Sequence, residues 1–364
     1  MAEISGEIFQ SANIKKGKVF TLLIGVITAG ILLALLVRLV TQFVTPPPPQ
    51  RLLLVQDIPL PGALPDAYRT KQNPTASGIG VLFDHFDFQA LDSQTHLLFI
   101  AHTGPNPDRE QQVNPHFNPN TDAKNDGNVI VFDTIQNKVI SVLPIPQVAG
   151  IVVALDLQRV YAADANGNLI YSIDEQTLKF TSIQLQDNDS PDGLEYDPLD
   201  HLIFVSNPGA PANPNQSQAV DRKNQNETMI DTRTNKVIAR IPLGIDGKWG
   251  DDVGHVRFDP GLHRAYVVVQ QLPDPDSPNP NLLPPPGTAR LVEINPITHS
   301  IITRLTLPDT CFTPHGLAID TLQHIAFIAC IDADPPSLLR VDLQTMKVIP
   351  EPPFPVPVLS LIHI

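Results

Sequence analysis

Residues 311–330, CFTPHGLAIDTLQHIAFIAC, hold both cysteines of the chain together with His315, Asp320 and His324. Thiolate, imidazole and carboxylate in one short stretch are the donor set of a zinc or iron site. A second group surrounds the single tryptophan: in GIDGKWGDDVGH, Trp249 stands beside Asp251, Asp252 and His255. An aromatic platform next to carboxylates could hold a sugar ring or a cation. A third, SPDGLEYD, offers Asp192. Whether any of these side chains converge depends on the elements that carry them.

Those elements repeat. FQALDSQTHLLFIAH (88–102), VVALDLQRVYAAD (152–164), GLEYDPLDHLIFVSN (193–207), HVRFDPGLHRAYVVV (255–269) and GLAIDTLQHIAFIAC (316–330) share one plan. Each has alternating apolar residues, an Asp, a short polar turn and a second apolar run. A second hairpin follows each one, as in TMIDTRTNKVIARIPLG (228–244) and RLVEINPITHSIITRLTLP (290–308). Period-two alternation with β-branched residues specifies strands. Two hairpins per unit, five times over, predict an all-β chain of four-stranded antiparallel blades, a β-propeller. Residues 52–60, LLLVQDIPL, read as a further fourth strand, and VLSLIHI (358–364) opens like another first strand. The expectation is therefore a truncated six- or seven-bladed ring with five repeats visible. The alternative is a strained closed ring of five or six blades.

MIDTRTNKVIARIPLG, DGLEYDPLDHLIFVSN and GLAIDTLQHIAFIAC resemble the YVTN-repeat, YncE-like β-propeller family over roughly residues 52–355. The resemblance implies the fold; it leaves function open, because propellers host binding, scaffolding and several chemistries. SPDGLEYDPLDHLIFVSN is also similar to the PDG segment of the gluconolactonase/regucalcin family, which would make Asp192 a ligand of a catalytic metal acting as Lewis acid. His315 stands where that family has Asn, and no counterpart of its N-terminal Glu ligand is found.

Propeller geometry sorts the remaining candidates. With strands a to d running outward from the axis, a–b and c–d turns share one face; b–c loops and d–a connections share the other. The b–c loops are long and rich in Pro, Asn and Asp at 103–127, 208–227 and 271–289, and such loops are commonly functional. On that face strand a begins with Asp87 (His85 just before it), Asp192, His255 and His315, while the second repeat offers Ile151. Strand b ends there in His102, Asp164, Asn207, Gln270 and Cys330. His85, Asp87, His102, Asp192, Asn207, Trp249, His255 and His315 are thus the candidate ligand-binding residues. Asp87, Asp192, His255 and His315 could together hold a divalent cation, and imidazole with carboxylate favours zinc, iron or manganese. Against this stands an ordinary wet, polar channel mouth. His96, His201, His263 and His324 each follow a repeat Asp by four residues, in a–b turns on the opposite face; one per blade, they cannot converge on one ion. Asp133, Asp174, Asp231 and Asp342 mark c–d turns, where Asp binds its own backbone. No G-x-S-x-G, Walker loop, H-E-x-x-H or C-x-x-C-H occurs.

The net charge of −14 argues against a nucleic-acid partner, which needs a basic surface. Lys15, Lys16 and Lys18 precede VFTLLIGVITAGILLALLV (19–37), long enough to cross a bilayer at about 20 residues per span. The lysines place residues 1–18 in the cytoplasm. Without a small-x-small cleavage site, residues 19–44 read as an uncleaved signal anchor. Residues 45–51 are a stiff Pro-rich linker and 52–364 the propeller, outside the membrane. A hairpin turning at 321–323 brings Cys330 opposite about 314, near Cys311, and similar YncE-like propellers carry cysteines in this arrangement. In an oxidising compartment these two are expected to pair. The function expected is a membrane-anchored scaffold that binds a protein or small polar ligand, ahead of catalysis. The alternatives are a metal-dependent hydrolase of the gluconolactonase/regucalcin type and a platform for a redox partner at the cell surface.

Overall fold

A computed structural model of the chain describes residues 85–104, 127–187, 189–209, 225–244, 251–271, 287–311, 313–330, 337–350 and 354–355. They lie in the second of two compact units, Ile58–Ile364; the first, Met1–Asp57, falls outside the described residues. So do Trp249, the fourth-strand segment 52–60, the apolar run 19–37 and the segment 358–364. Among the described residues no helix is long and apolar enough to cross a membrane.

Five antiparallel sheets follow one another along the chain. Blade 1 is β1 (His85–Asp92), β2 (Leu97–Gly104), β3 (Asn128–Asp133) and β4 (Lys138–Leu143). Blade 2 is β5 (Val148–Ala154), β6 (Arg159–Asp164), β7 (Leu169–Asp174) and β8 (Phe180–Gln184). Blade 3 is β9 (Leu194–Asp197), β10 (Leu202–Asn207), β11 (Asn226–Asp231) and β12 (Lys236–Pro242). Blade 4 is β13 (Asp251–Asp259), β14 (Arg264–Gln271), β15 (Arg290–Asn295) and β16 (Ser300–Thr306). Blade 5 is β17 (Pro314–Asp320), β18 (Ile325–Cys330), β19 (Ser337–Asp342) and β20 (Lys347–Val348), with β21 (Phe354–Pro355) also on β19. The propeller architecture of repeated four-stranded blades is as expected, and several strand ends shift by a few residues: β2 runs on to Gly104 and β5 begins at Val148.

The ten a–b and c–d hairpins among the described residues use the same connection, which in the c–d turn of blade 2 closes where Asp174 N–H donates to the Lys179 carbonyl, one residue before β8. It is a four-residue turn whose last residue has positive φ: His96, Gln158, His201, His263 and His324 in a–b turns, Asn137, Leu178, Asn235, His299 and Met346 in c–d turns. Asn and His tolerate that left-handed region better than most side chains, which accounts for their recurrence. Nine of the ten open on Asp or Asn, and its Oδ1 accepts turn N–H groups, as from Leu199 (2.8 Å) and Asp200 (3.2 Å) to Asp197. Asp133, Asp174, Asp231 and Asp342 do this in c–d turns, as expected. In blade 2 the b–c connection obeys the same rule: Asp164 accepts from Gly167 N–H at 2.7 Å and Asn168 has φ 52°. The two turns of a blade are also tied together. Thr134, Glu175, Thr232 and Leu343 donate backbone N–H to the carbonyls of His96, Gln158, His201 and His324.

Turns of fixed length fix register, and register decides which side chains face which neighbour. Strands b and c are buried on both faces; β10 has no exposed residue. Outer strands alternate, as SIITRLT does in β16. Axial strands pack in sequence order, β1 on β5, β5 on β9, β9 on β13 and β13 on β17. Between successive blades lie four apolar cores. Phe99, Val129 and Val131 meet Val160 and Ile173; Tyr161 and Ile170 meet Ile203 and Val205; Phe204 and Met229 meet Val256 and Phe258; Tyr266 and Val268 meet Leu317 and Ile328. Cys311 and Cys330 form the expected disulfide, Cα atoms 4.8 Å apart, with Cys330 opposite Pro314. It ties the segment entering β17 to the end of β18. A closed loop of this size is worth ~3 kcal/mol in the chain-entropy picture.

Backbones also touch directly. A Cβ built on Gly150 would lie 1.8 Å from the carbonyl oxygen of Asp192, and one on Gly254 2.6 Å from that of His315. No L side chain fits there without moving a blade. Gly150→Ala is expected to lower unfolding free energy by ~2–3 kcal/mol, seen in urea titration as a lower midpoint at unchanged slope; an unaltered midpoint would refute this contact.

Candidate functional site

Every axial strand carries the same irregularity near its start. In blade 1 two residues, Asp87 and Phe88, stand between the paired positions Phe86 (opposite His102) and Gln89 (opposite Ile100), so they oppose Ala101 alone. Ala149 and Gly150, Gly254 and His255, and His315 and Gly316 repeat this two-to-one bulge. In blade 3 Asp192 N–H donates to the Ser206 carbonyl, and Ser206 N–H to that of Gly193, both at 2.9 Å. Bulges bend a strand and re-aim its side chains, which is why they gather at functional rims.

The bulge reorders the expected ring. Its first position holds Asp87, Ala149, Asp192, Gly254 and His315; its second holds Phe88, Gly150, Gly193, His255 and Gly316. Blade 2 therefore presents Ala149, not Ile151. His255 sits one place further in than Asp87, Asp192 and His315 and is 1% exposed, whereas those three are half-buried.

Phe88 stands where three other blades have glycine, and it reaches residues of blades 3 and 4. Its ring lies 4.4 Å from that of His255 across the axis, and a Cβ on Gly193 would be 3.7 Å from its Cζ. Blade 1 thus touches blades 3 and 4, which are not its sequence neighbours. His255 in turn lies 5.0 Å from His315, ring to ring. Further along the same strands Arg257 and Glu195 form an ion pair at 3.6 Å. Burial holds the Glu195 carboxyl up at about 7 despite the arginine beside it.

His255 and His315 are brought together; the full set of four metal candidates is not. Among the described residues, Asp87, Asp192, His255 and His315 do not supply three ligand atoms within 4.8 Å of one another. His85 begins β1 opposite Gly104. His102 is buried at the end of β2, opposite Asn128, its ring 5.6 Å from that of Phe86. Asn207 is fully buried: its amide donates to Asn226 Oδ1, Thr228 Oγ1 and the Val205 carbonyl, each at 3.0 Å. It braces the base of the 208–225 connection.

Sequence reasoning missed the rest of that brace. Asp189, 0% exposed, takes a bidentate hydrogen bond from Arg240 of the outer strand and another from Asn226 (3.2 Å). Ser206 donates to Glu227 at 3.1 Å, and burial keeps the Glu227 carboxyl well above its usual range. No sequence signal marks these groups, since their partners come from other strands.

The turn histidines do more than bind their own turns. His263 lies 2.7 Å from Asp200, and His324 2.7 Å from Asp259, each on the preceding blade. His201 meets Tyr196 of its own blade at 3.1 Å and Asp156 of the preceding one at 3.5 Å.

No family model matches the chain, and no curated protein matches it in sequence. Among solved structures it is similar to Kuenenia stuttgartiensis hydrazine synthase, with TM-score 0.50 and 13% identity over 76% of this chain and 70% of that one. A second is the β-propeller domain of Myceliophteria thermophila Cps50 (Swd1), with TM-score 0.48 and 10% identity over 74% and 71%. At such identities the likeness concerns fold alone.

Burial holds the His102 imidazole down at about 4. A base whose folded value is depressed stabilises the fold fully above its ordinary 6.5 and loses that contribution as pH falls towards 4. Unfolding free energy is therefore expected to decline between pH 6.5 and 4. His102→Asn, the residue blade 3 carries at this place, should flatten that decline in denaturant titrations; an identical slope would show that His102 does not carry it.

Proposed function

We propose that the chain is a membrane-anchored, extracytoplasmic propeller of the YncE-like class that binds a partner protein through the face bearing its b–c connections. The observation that carries this is the contrast between the two faces. On one, the ten described hairpins share a single closing turn, and in blades 1, 2, 3 and 5 the two turns are tied by a backbone hydrogen bond. On the other, the b–c connection is that same turn in blade 2 but spans residues 105–127, 208–225 and 272–289 in blades 1, 3 and 4. Variable length on a uniform scaffold is how a fold builds a recognition surface. The Phe88 and His255 rings meet at the bulges, where they occupy space that a ligand between the axial strands would need, so a surface contact is favoured. The acidic chain suits a basic partner. The N-terminal lysines and apolar run support the anchor and its orientation.

Replacing residues 272–289 with the Ala-Asn-Gly-Asn turn of blade 2 tests this directly. Proximity cross-linking in membranes should recover a partner with the native chain and at least tenfold less with the replacement, at unchanged circular dichroism. Equal recovery, or cross-links confined to the turn face, would overturn the proposal.

A further inference from the structure

Three a–b turns of one build differ at a single oxygen. In each, Oδ1 of the leading aspartate is taken by turn N–H groups: Asp92 by Gln94 and Thr95, Asp197 by Leu199 and Asp200, Asp259 by Gly261 and Leu262. The second oxygen of Asp259 meets the imidazole of His324 from the next blade at 2.7 Å. Asp92 has the Glu175 carboxyl beside it. Asp197, 0% exposed, has no partner for Oδ2. The histidine that should satisfy it, His263, turns instead to Asp200, a carboxylate at a position where blade 4 has Leu262. A fully buried carboxylate oxygen without a hydrogen bond is costly.

We propose that Asp197, Asp200 and His263 bind a divalent cation where blades 3 and 4 meet on the turn face, and that the ion is zinc. One oxygen of each aspartate and a ring nitrogen of His263 lie within 4.8 Å of one another. Donors about 2.1 Å from a tetrahedral zinc are about 3.4 Å apart, so the group must contract. Asp200 and His263, each 31% exposed, are free to rotate inward, giving up their mutual hydrogen bond, while buried Asp197 stays fixed. Two carboxylates and an imidazole suit zinc better than calcium, which prefers an all-oxygen cage. The fourth position faces solvent through the half-exposed ligands and takes water. The bound ion joins blade 3 to blade 4, as the His324–Asp259 bond joins blade 4 to blade 5. The site is distinct from the channel mouth and independent of any partner there.

The test uses the full-length chain, stripped with chelator and titrated with zinc or calcium against a chromophoric competitor, with bound metal counted by mass spectrometry. One zinc per chain is expected, with calcium at least tenfold weaker. Asp197→Asn keeps the turn hydrogen bonds through its own Oδ1 and should weaken zinc at least tenfold, as should His263→Gln. His324→Gln should bind zinc normally. Zinc should raise the melting temperature of the native chain and of His324→Gln, and of neither site variant. Failure to retain zinc, or native affinity in Asp197→Asn and His263→Gln with circular dichroism unchanged, would overturn the proposal.

Discussion

A left-handed residue at the end of a four-residue turn is the constraint on which the rest of this structure depends. It closes ten hairpins at one length, and with length goes register. A slip of one residue would carry every apolar side chain of a strand to the wrong neighbour. The turn sets Tyr161 against Ile203 and Phe204 against Phe258 as firmly as their shapes do. A leading aspartate and a trailing histidine or asparagine lower the cost of that conformation. The trailing histidines are polar and part-exposed and reach across blades, as His201, His263 and His324 do to carboxylates of the preceding blade.

The bulge on each axial strand acts at the opposite end of the blade. Two residues against one bend the strand and bring backbones of adjacent blades into contact, which small residues such as Gly150 and Gly254 permit. One face is therefore ordered by its turns and the other by its bulges, and the long b–c connections start from the second. The b–c connections differ in length between blades while the register of strands b and c on either side of them is kept.

The strand pattern, the turn aspartates, the cysteine pair and the number of repeats were all legible in the sequence, because each is local or recurs at a fixed spacing. The candidate site was legible only in part. Grouping the polar residues that open each axial strand put His255 level with Asp192 and His315, although it stands four residues before its repeat Asp and they stand five before theirs; the bulge turns that single place into a different direction. Phe88 could have been found by aligning bulges: it stands at a position that is glycine in three of the other four blades. The carboxylate–imidazole contacts between blades could not, because His263 and Asp200 are separated by 63 positions and only the closure of the blades unites them.

Buried polarity is concentrated where the long connections leave the sheet. Asn207, Asn226, Asp189 and Arg240 form one linked set beneath residues 208–225, and His102 faces Asn128 beneath 105–127. Blade 2, whose connection is a tight turn, needs only Asp164 and its turn N–H groups at this place. An apolar pair would hold two strands together equally well. A hydrogen-bonded amide adds direction: it admits few orientations of the backbone leaving it. Polar groups at these roots thus fix the direction in which the backbone leaves the sheet. Their hydrogen bonds extend the order set by the turns to the opposite ends of the strands, where the b–c connections begin.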